Sequence, residues 1–212
     1  MIRSGALNTE LIDLGLTPFF TQQLNAEEIE HCLLARVTEV QRSHIIVSDG
    51  VDEWRITPGG AWYQLPAAQR PTVGDWLLLD EPHEKILRLL QRKSIFQRVA
   101  AGTRVEVQLI AANIDTLFIV TSCNDEFEES RLERYLALAV EAGVDPVVIL
   151  TKADLSGEAQ AYVDRVRTVS SDLPVEIVNA LDPDTLSGAM AWVKKSQPLR
   201  WWVPPEWVSR HS

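Results

Sequence analysis

The stretch TLFIVTSCNDEFEESRLERYLALAVEAGVDPVVILTKADL, residues 116–155, decides the fold class of this chain. Its opening run, TLFIVT (116–121), is continuously apolar, the pattern of a parallel strand covered on both faces. In EESRLERYLALAVEAG, Leu132, Leu136, Ala139 and Gly143 recur at helical spacing with charges on the other side, and Gly143 is placed to end the helix. PVVILT (146–151) is a second buried strand. Downstream, EAQAYVDRVRTV carries Ala159, Val163 and Val166 on one helical face, PVEIV (174–178) forms a third strand, and Asp182-Pro183 opens another helix. Strands alternating with helices of about ten to fifteen residues make βαβ units on a parallel sheet, so the second half reads as α/β.

The preceding segment has a different rhythm. Between about Ala35 and Ala100 the runs ARVTEV, HIIVSDG, EWRITP, DWLLLD and KILRLL are short and strand-like, with Asp49-Gly50, Gly59-Gly60 and Gly74-Asp75 as turn residues between them. Five short strands with this punctuation predict a small closed all-β barrel of the OB or SH3-like kind.

Composition narrows the function classes. At 212 residues, 46% hydrophobic and 24% charged, the chain holds one large or two small cored domains and is too apolar for disorder. A net charge of −10 excludes a surface that binds nucleic acid or anionic membrane all round, and leaves room for a local basic face. Residues 35–100 carry 9 Lys and Arg against 8 acids, so the negative charge lies elsewhere and this half is the one suited to meet RNA. Cys32 and Cys123 belong to no C-x-x-C pair, which writes neither a disulfide framework nor a zinc site and fits a reducing cytosol. MIRSGALNTELIDLG has no apolar run followed by a cleavage site, and no segment approaches the ~20 apolar residues of a membrane span. A cytoplasmic, unanchored protein is expected.

Chemistry enters where the second buried strand delivers Thr151-Lys152-Ala153-Asp154 to its carboxyl end, the rim at which open α/β sheets bind ligands. Guanine presents two parallel donors, N1–H and the exocyclic amine, and the two oxygens of the Asp154 carboxylate accept both. Adenine has an acceptor at N1 and no amine at C2, so the same carboxylate rejects it by about 1.5 to 3 kcal/mol. Lys152 lays its alkyl stem over the base plane. The plain alternative is a strand end with a solvated Lys and an Asp capping the next helix. A second feature weighs against it: VNALD (178–182) ends the next strand, 24 residues beyond Asp154 at Val178, where guanine-nucleotide proteins place an S-A-K-like loop whose backbone amide reaches guanine O6.

PTVGDWLLLD, SIFQRVAAG, QLIAANIDTLFIVTS, SRLERYLALAVEAGVDPVVILTKADL and the VNALD loop resemble, in order and spacing, the ribosome small subunit-dependent GTPase A family over about residues 30–196. The A-N-x-D and R-L-E-R-Y-L stretches are the specific ones. The resemblance implies a circularly permuted GTPase of small ribosomal subunit maturation, its partners being that subunit and its rRNA met by an OB-fold-like barrel, with base recognition ahead of the phosphate loop in sequence. Carried onto this chain, Thr151, Lys152 and Asp154 serve the guanine of GTP or GDP, and Asn179 and Ala180 form the O6 loop. Thr151 stands where Asn is usual and Asn179 where Ser is usual, which implies weaker base affinity. The implied organisation is an N-terminal extension (1–34), the barrel (35–100), a partial GTPase domain (101–196) and an aberrant tail (197–212), in a monomer without a membrane anchor.

No G-x-x-x-x-G-K-[ST] phosphate loop occurs in the chain, and the family's Mg²⁺ site and C-terminal structural Zn²⁺ site are absent with it. DLSG (154–157) fits a magnesium-side D-x-x-G only by chance, since its Asp already belongs to T-K-A-D. The tail RWWVPPEWVSRHS (200–212) has no structural period. Read one base out of register, Trp202-Val203 and Trp207-Val208 each force glycine and Trp201-Trp202 forces valine. The neighbouring frame then permits T-V-A-L-V-G-S-S-G-V-G-K-S-T-L, a phosphate loop behind an apolar strand, and the nucleotide sequence tests this directly. The expectation is a frameshifted, catalytically inactive form of a GTP-hydrolysing factor, with a non-catalytic RNA-binding barrel as the other reading. An exposed sheet edge and poor solubility of the second half are expected with it.

Overall fold

The computed structural model describes residues 9–83, 85–100, 106–179 and 181–195, and the chain divides into two compact units, 1–114 and 115–212. Ala180 and the 197–212 tail, and with it the reading of a displaced frame, lie outside the described residues.

The first unit begins with three short helices, α1 (Thr9–Asp13), α2 (Pro18–Thr21) and α3 (Ala26–His31). A capping box starts α3: the Asn25 side chain accepts from the Glu28 amide, and the Glu28 carboxylate accepts from the Asn25 amide. All five strand-like runs form strands: β1 (Leu33–Val40), β2 (Ile45–Ser48), β3 (Glu53–Ile56), β4 (Trp76–Leu79) and β5 (Ile86–Leu89). A short helix, α4 (Gly60–Gln64), and a 3-10 turn (Ala67–Gln69) connect β3 to β4. The strands make one antiparallel sheet in the order β3-β2-β1-β4-β5. Ile56 of β3 packs in the same cluster as Ile86 and Leu89 of β5, so the sheet curls round one core. Among the described residues no ladder joins β3 to β5, and the sheet stands as a curled five-stranded one where the sequence suggests a closed barrel.

Alternation explains why DWLLLD is apolar throughout. Leu77 and Leu79 enter the interior cluster with Ala35, Val37, Ile45 and Val47, while Trp76 and Leu78 point to the other face with Leu34. That second face is covered by Leu11, Leu16 and Phe20. The segment expected as an extension therefore supplies half of a core, and β4 is buried on both sides.

The first unit continues past residue 100 into a hairpin of β6 (Ile95–Ala100) and β7 (Glu106–Ala112). Asn113, at φ 56°, anchors its end: its Oδ1 accepts the Lys93 amide at 2.7 Å and its Nδ2 donates to the Gly74 carbonyl at 3.0 Å. Arg36, buried over the Trp76 ring, donates to the carbonyls of Asn113 and Leu14. The A-N-x-D stretch is thus a structural clasp.

The second unit follows the βαβ reading. It comprises β8 (Thr116–Ser122), α5 (Glu129–Ala142), β9 (Asp145–Thr151), α6 (Ala153–Ser156), α7 (Ala159–Val169), β10 (Val175–Val178), a 3-10 turn (Pro183–Leu186) and α8 (Ser187–Lys195). The sheet is parallel, in the order β10-β9-β8. Gly143 ends α5 at φ 64°, a left-handed conformation that glycine adopts without Cβ strain. Phe118, Val147, Ile149 and Val178 pack with Ala189 of α8, while Leu132, Ala139, Val163 and Val166 bury the inner faces of α5 and α7. Among the described residues β8 pairs on one side only. No helix among them is long and apolar enough to cross a membrane.

Candidate functional site

The carboxyl ends of the three parallel strands are level. Thr151 closes β9 and pairs with Ser122 on β8 and with Val178 on β10. Its hydroxyl donates to the Thr121 carbonyl at 3.2 Å, so the side chain faces the sheet. Lys152 then turns the chain at φ 58° and serves as N-cap of α6. A non-glycine residue in this region carries strain, the kind of outlier that concentrates at functional sites. The turn lets α6 start directly after the strand and puts Asp154, exposed, in its first turn. Gly157, at φ 63°, stops that helix. The glycine of DLSG therefore has a structural task.

Asn179 leaves β10 beside Lys152, one residue past the Thr151–Val178 pair. Its amide donates to Thr185 Oγ1 at 3.0 Å, its carbonyl accepts from Asp182 at 2.9 Å, and its Oδ1 accepts the Leu181 amide at 3.0 Å. Both the amide and the side chain of Asn179 are thus engaged in bracing the loop expected to meet O6. Asp182 adds to this by capping the following turn through Asp184. Thr185 and Asp182 are supporting residues that the base-motif reading passes over; the D-P-D-T pattern, a cap followed by proline, is the signal that marks them.

Thr151, Lys152, Asp154 and Asn179 are thus brought to one rim, and Ala180 lies outside the described residues. A groove one strand away is lined by Thr121, Ser122, Phe127, Glu128, Arg131 and Tyr135, among others, between β8 and α5. Phe127 of this lining lies 4.4 Å beneath the guanidinium of Arg165, which donates to Glu129 at 2.6 Å. The bonded guanidinium holds the Glu129 carboxyl below its ordinary range. Burial pushes the Cys123 thiol up from its ordinary range. Among the described residues no group of three or more His, Cys, Asp or Glu side chains is placed to hold a metal.

The RsgA GTPase family model matches residues 89–197. The small ribosomal subunit biogenesis GTPase RsgA 2 of Vibrio vulnificus is 43% identical over 189 residues, covering 89% of this chain and 52% of that protein. The small ribosomal subunit biogenesis GTPase RsgA of Mesorhizobium japonicum is 39% identical over 197 residues, covering 92% of this chain and 54% of that protein. This chain spans about half the length of these relatives. In fold it is similar to YjeQ from Thermotoga maritima, with a TM-score of 0.57 at 18% identity over 76% of this chain and 57% of that one. It is similar also to YloQ, a circularly permuted GTPase, with a TM-score of 0.53 at 19% identity over 76% of this chain and 56% of that one. By the family model and these relatives, the chain belongs to the RsgA GTPase family.

Proposed function

We propose that this chain is the base-reading part of a cytoplasmic GTP-hydrolysing factor for small ribosomal subunit biogenesis. The observation that carries the reading is the shared rim: Lys152 and Asp154 leave β9 beside the Asn179 loop of β10, in a chain of the RsgA GTPase family. Asp154 accepts the N1–H and exocyclic N–H of guanine, and the Lys152 stem lies along the ring. Thr151 supports the site from within the sheet, and the Asn179–Ala180 loop meets O6, with the Asn179 amide itself bonded to Thr185 Oγ1. The curled sheet of the first unit, read as an OB-like partial barrel, contacts rRNA. Hydrolysis belongs to the whole protein. The chain contains no G-x-x-x-x-G-K-[ST], so alone it binds guanine nucleotide weakly and leaves it uncleaved.

Titration of the chain with GMP and with AMP, followed by amide chemical shifts at millimolar nucleotide, tests the reading. GMP is expected to bind ten- to a hundredfold more tightly, and Asp154→Asn to abolish that preference without unfolding the chain. Equal affinity for the two nucleotides, or a preference untouched by Asp154→Asn, overturns it.

A further inference from the structure

In the first unit, α4 (Gly60–Gln64) is held in place without a core of its own. None of its residues is fully buried, and Tyr63 is 45% exposed. A relay of hydrogen bonds that starts at the buried Asp75 carboxylate fixes the segment instead. Arg92, gripping both oxygens of Asp75, donates to the Ala68 carbonyl and, at 2.7 Å, to the Arg70 carbonyl. Arg70 in turn donates from Nε to the Leu65 carbonyl at 2.9 Å and from Nη2 to the Tyr63 carbonyl at 2.8 Å. Two arginines, the first of them anchored in the interior, thus set the backbone under an aromatic ring that is open to solvent. The start of α4 is open as well, since a Cβ at Gly59 or Gly60 would meet nothing within 4 Å. An aromatic side chain on a backbone already fixed loses little freedom when it binds, which suits it to be a recognition anchor.

Charge indicates the partner. Residues 54–74 and 85–105 contain no Asp or Glu, in a chain that has 30 of them and a net charge of −10. Arg70 belongs to the first run and Arg92 and Lys93 to the second, so the relay brings the two acid-free runs together beside α4. Arg92 is neutralised by Asp75. Arg70 is bonded to carbonyls, which leave its positive charge standing next to the Tyr63 backbone. A positive surface around an exposed ring is complementary to a polyanion that carries planar rings, and unpaired nucleotides have both properties: the base stacks on the aromatic side chain and the phosphates meet the cation. We propose that Tyr63, braced by Arg70 and Arg92, is a stacking platform for an unpaired base of single-stranded RNA; the proposal rests on the RNA-contacting role given to the first unit. Stacking needs the π face of Tyr63 and an unpaired base. General attraction of a polyanion needs neither, so the two separate by experiment.

A labelled single-stranded RNA of about twelve nucleotides, the duplex made from it and an oligoglutamate of equal charge are titrated at low salt with the chain and its Tyr63→Phe, Tyr63→Leu and Arg70→Met variants, by fluorescence anisotropy. Tyr63→Leu keeps apolar bulk and removes the π face, and is expected to weaken single-strand binding about tenfold. Tyr63→Phe restores the affinity, and Tyr63→Leu leaves the duplex, whose bases are already stacked on one another, bound as by the parent chain. Arg70→Met removes both brace and charge and is expected to lose at least as much on the single strand as Tyr63→Leu. In the parent chain the Tyr63 ring protons move upfield as the single strand is added. If the chain binds the single strand and Tyr63→Leu binds it equally well, the platform is overturned and the RNA-contacting role stands. An equal loss on the duplex or on oligoglutamate also overturns it, because the effect is then one of charge or of general surface contact, and Arg70→Met at parent affinity overturns the brace. If neither RNA is bound, the RNA-contacting role falls and the platform falls with it.

Discussion

The Thr151 hydroxyl donates to the Thr121 carbonyl at 3.2 Å and ties the end of β9 to β8 where the base motif begins. A side chain committed to the neighbouring strand stabilises the sheet and stays out of the ligand's way. Thr151→Val keeps the shape and removes the donor, so it is expected to cost about 1 kcal/mol in urea denaturation. GMP affinity should stay within about twofold of the parent value. A large loss of GMP binding at unchanged stability would assign the hydroxyl to the ligand instead.

In the first unit the fully buried Asp75 carboxylate is gripped through both oxygens by Arg92, at 2.8 and 2.7 Å, and accepts the Thr72 amide at 2.7 Å. Burial pushes the carboxyl up and the guanidinium opposes that push, so the pair is stable only while both members are present. Arg92→Met should destabilise the unit by about 3 to 5 kcal/mol, because it removes the guanidinium that pairs with a buried carboxylate. Arg92→Lys should recover only part of this, since an ammonium cannot reproduce the two-point grip or reach the Ala68 and Arg70 carbonyls together. Thermal melts of the three proteins check the order.

Glu28 provides a pH signature. Its bond from Arg88 Nε at 2.6 Å, aided by the Asn25 amide, holds its carboxyl down at about 2 against an ordinary 4.5. A carboxyl depressed in the folded state contributes stability above its unfolded value and loses it as pH falls toward the folded one. Stability should therefore drop between about pH 4.5 and pH 2, and the drop should be shallower in Glu28→Gln. Acid denaturation curves that superimpose would refute the assignment.

Two glycines should respond differently to alanine. At Gly74, φ is 90° and a Cβ would overlap the Ala112 carbonyl oxygen, part of the backbone that anchors the hairpin. Gly74→Ala is expected to cost about 3 kcal/mol or more, from backbone strain and overpacking together. At Gly188 a Cβ would meet the carboxylate end of Glu176, a side chain that can swing aside at the loss of its bond from Trp192 Nε1. Gly188→Ala should cost about 1 kcal/mol. Chemical denaturation of both variants would show whether the order holds.

Asn179→Ala removes the acceptor of the Leu181 amide and leaves the strand register intact. Hydrogen exchange at Leu181 should accelerate while Val148 and Leu150 amides in the sheet stay protected. Unchanged exchange at Leu181 would mean the loop is held by Thr185 alone.

Patterns carried by nearest neighbours along the chain were legible without coordinates. TLFIVT and PVVILT are apolar at every position because strands of a parallel sheet are covered on both faces, and that requirement prints itself on consecutive residues. The end of α5 at Gly143, the inner faces of α5 and α7, and the placing of Thr151 to Asp154 at a strand end followed in the same way. The tertiary structure alone decided what depends on distant residues. Helices of five, four and six residues, α1 to α3, are too short to display a 3.6-residue period, and only the second face of β4 gives Leu11, Leu16 and Phe20 their purpose. Arg36, Gly74 and Asn113 meet across 39 to 77 residues of sequence, which no local pattern records, and that meeting moves the end of the first unit from residue 100 to Ile114. At the rim, sequence named the residues and the parallel pairing of Thr151 with Val178 made them neighbours, because the contact forms only once both strands have been laid into one sheet.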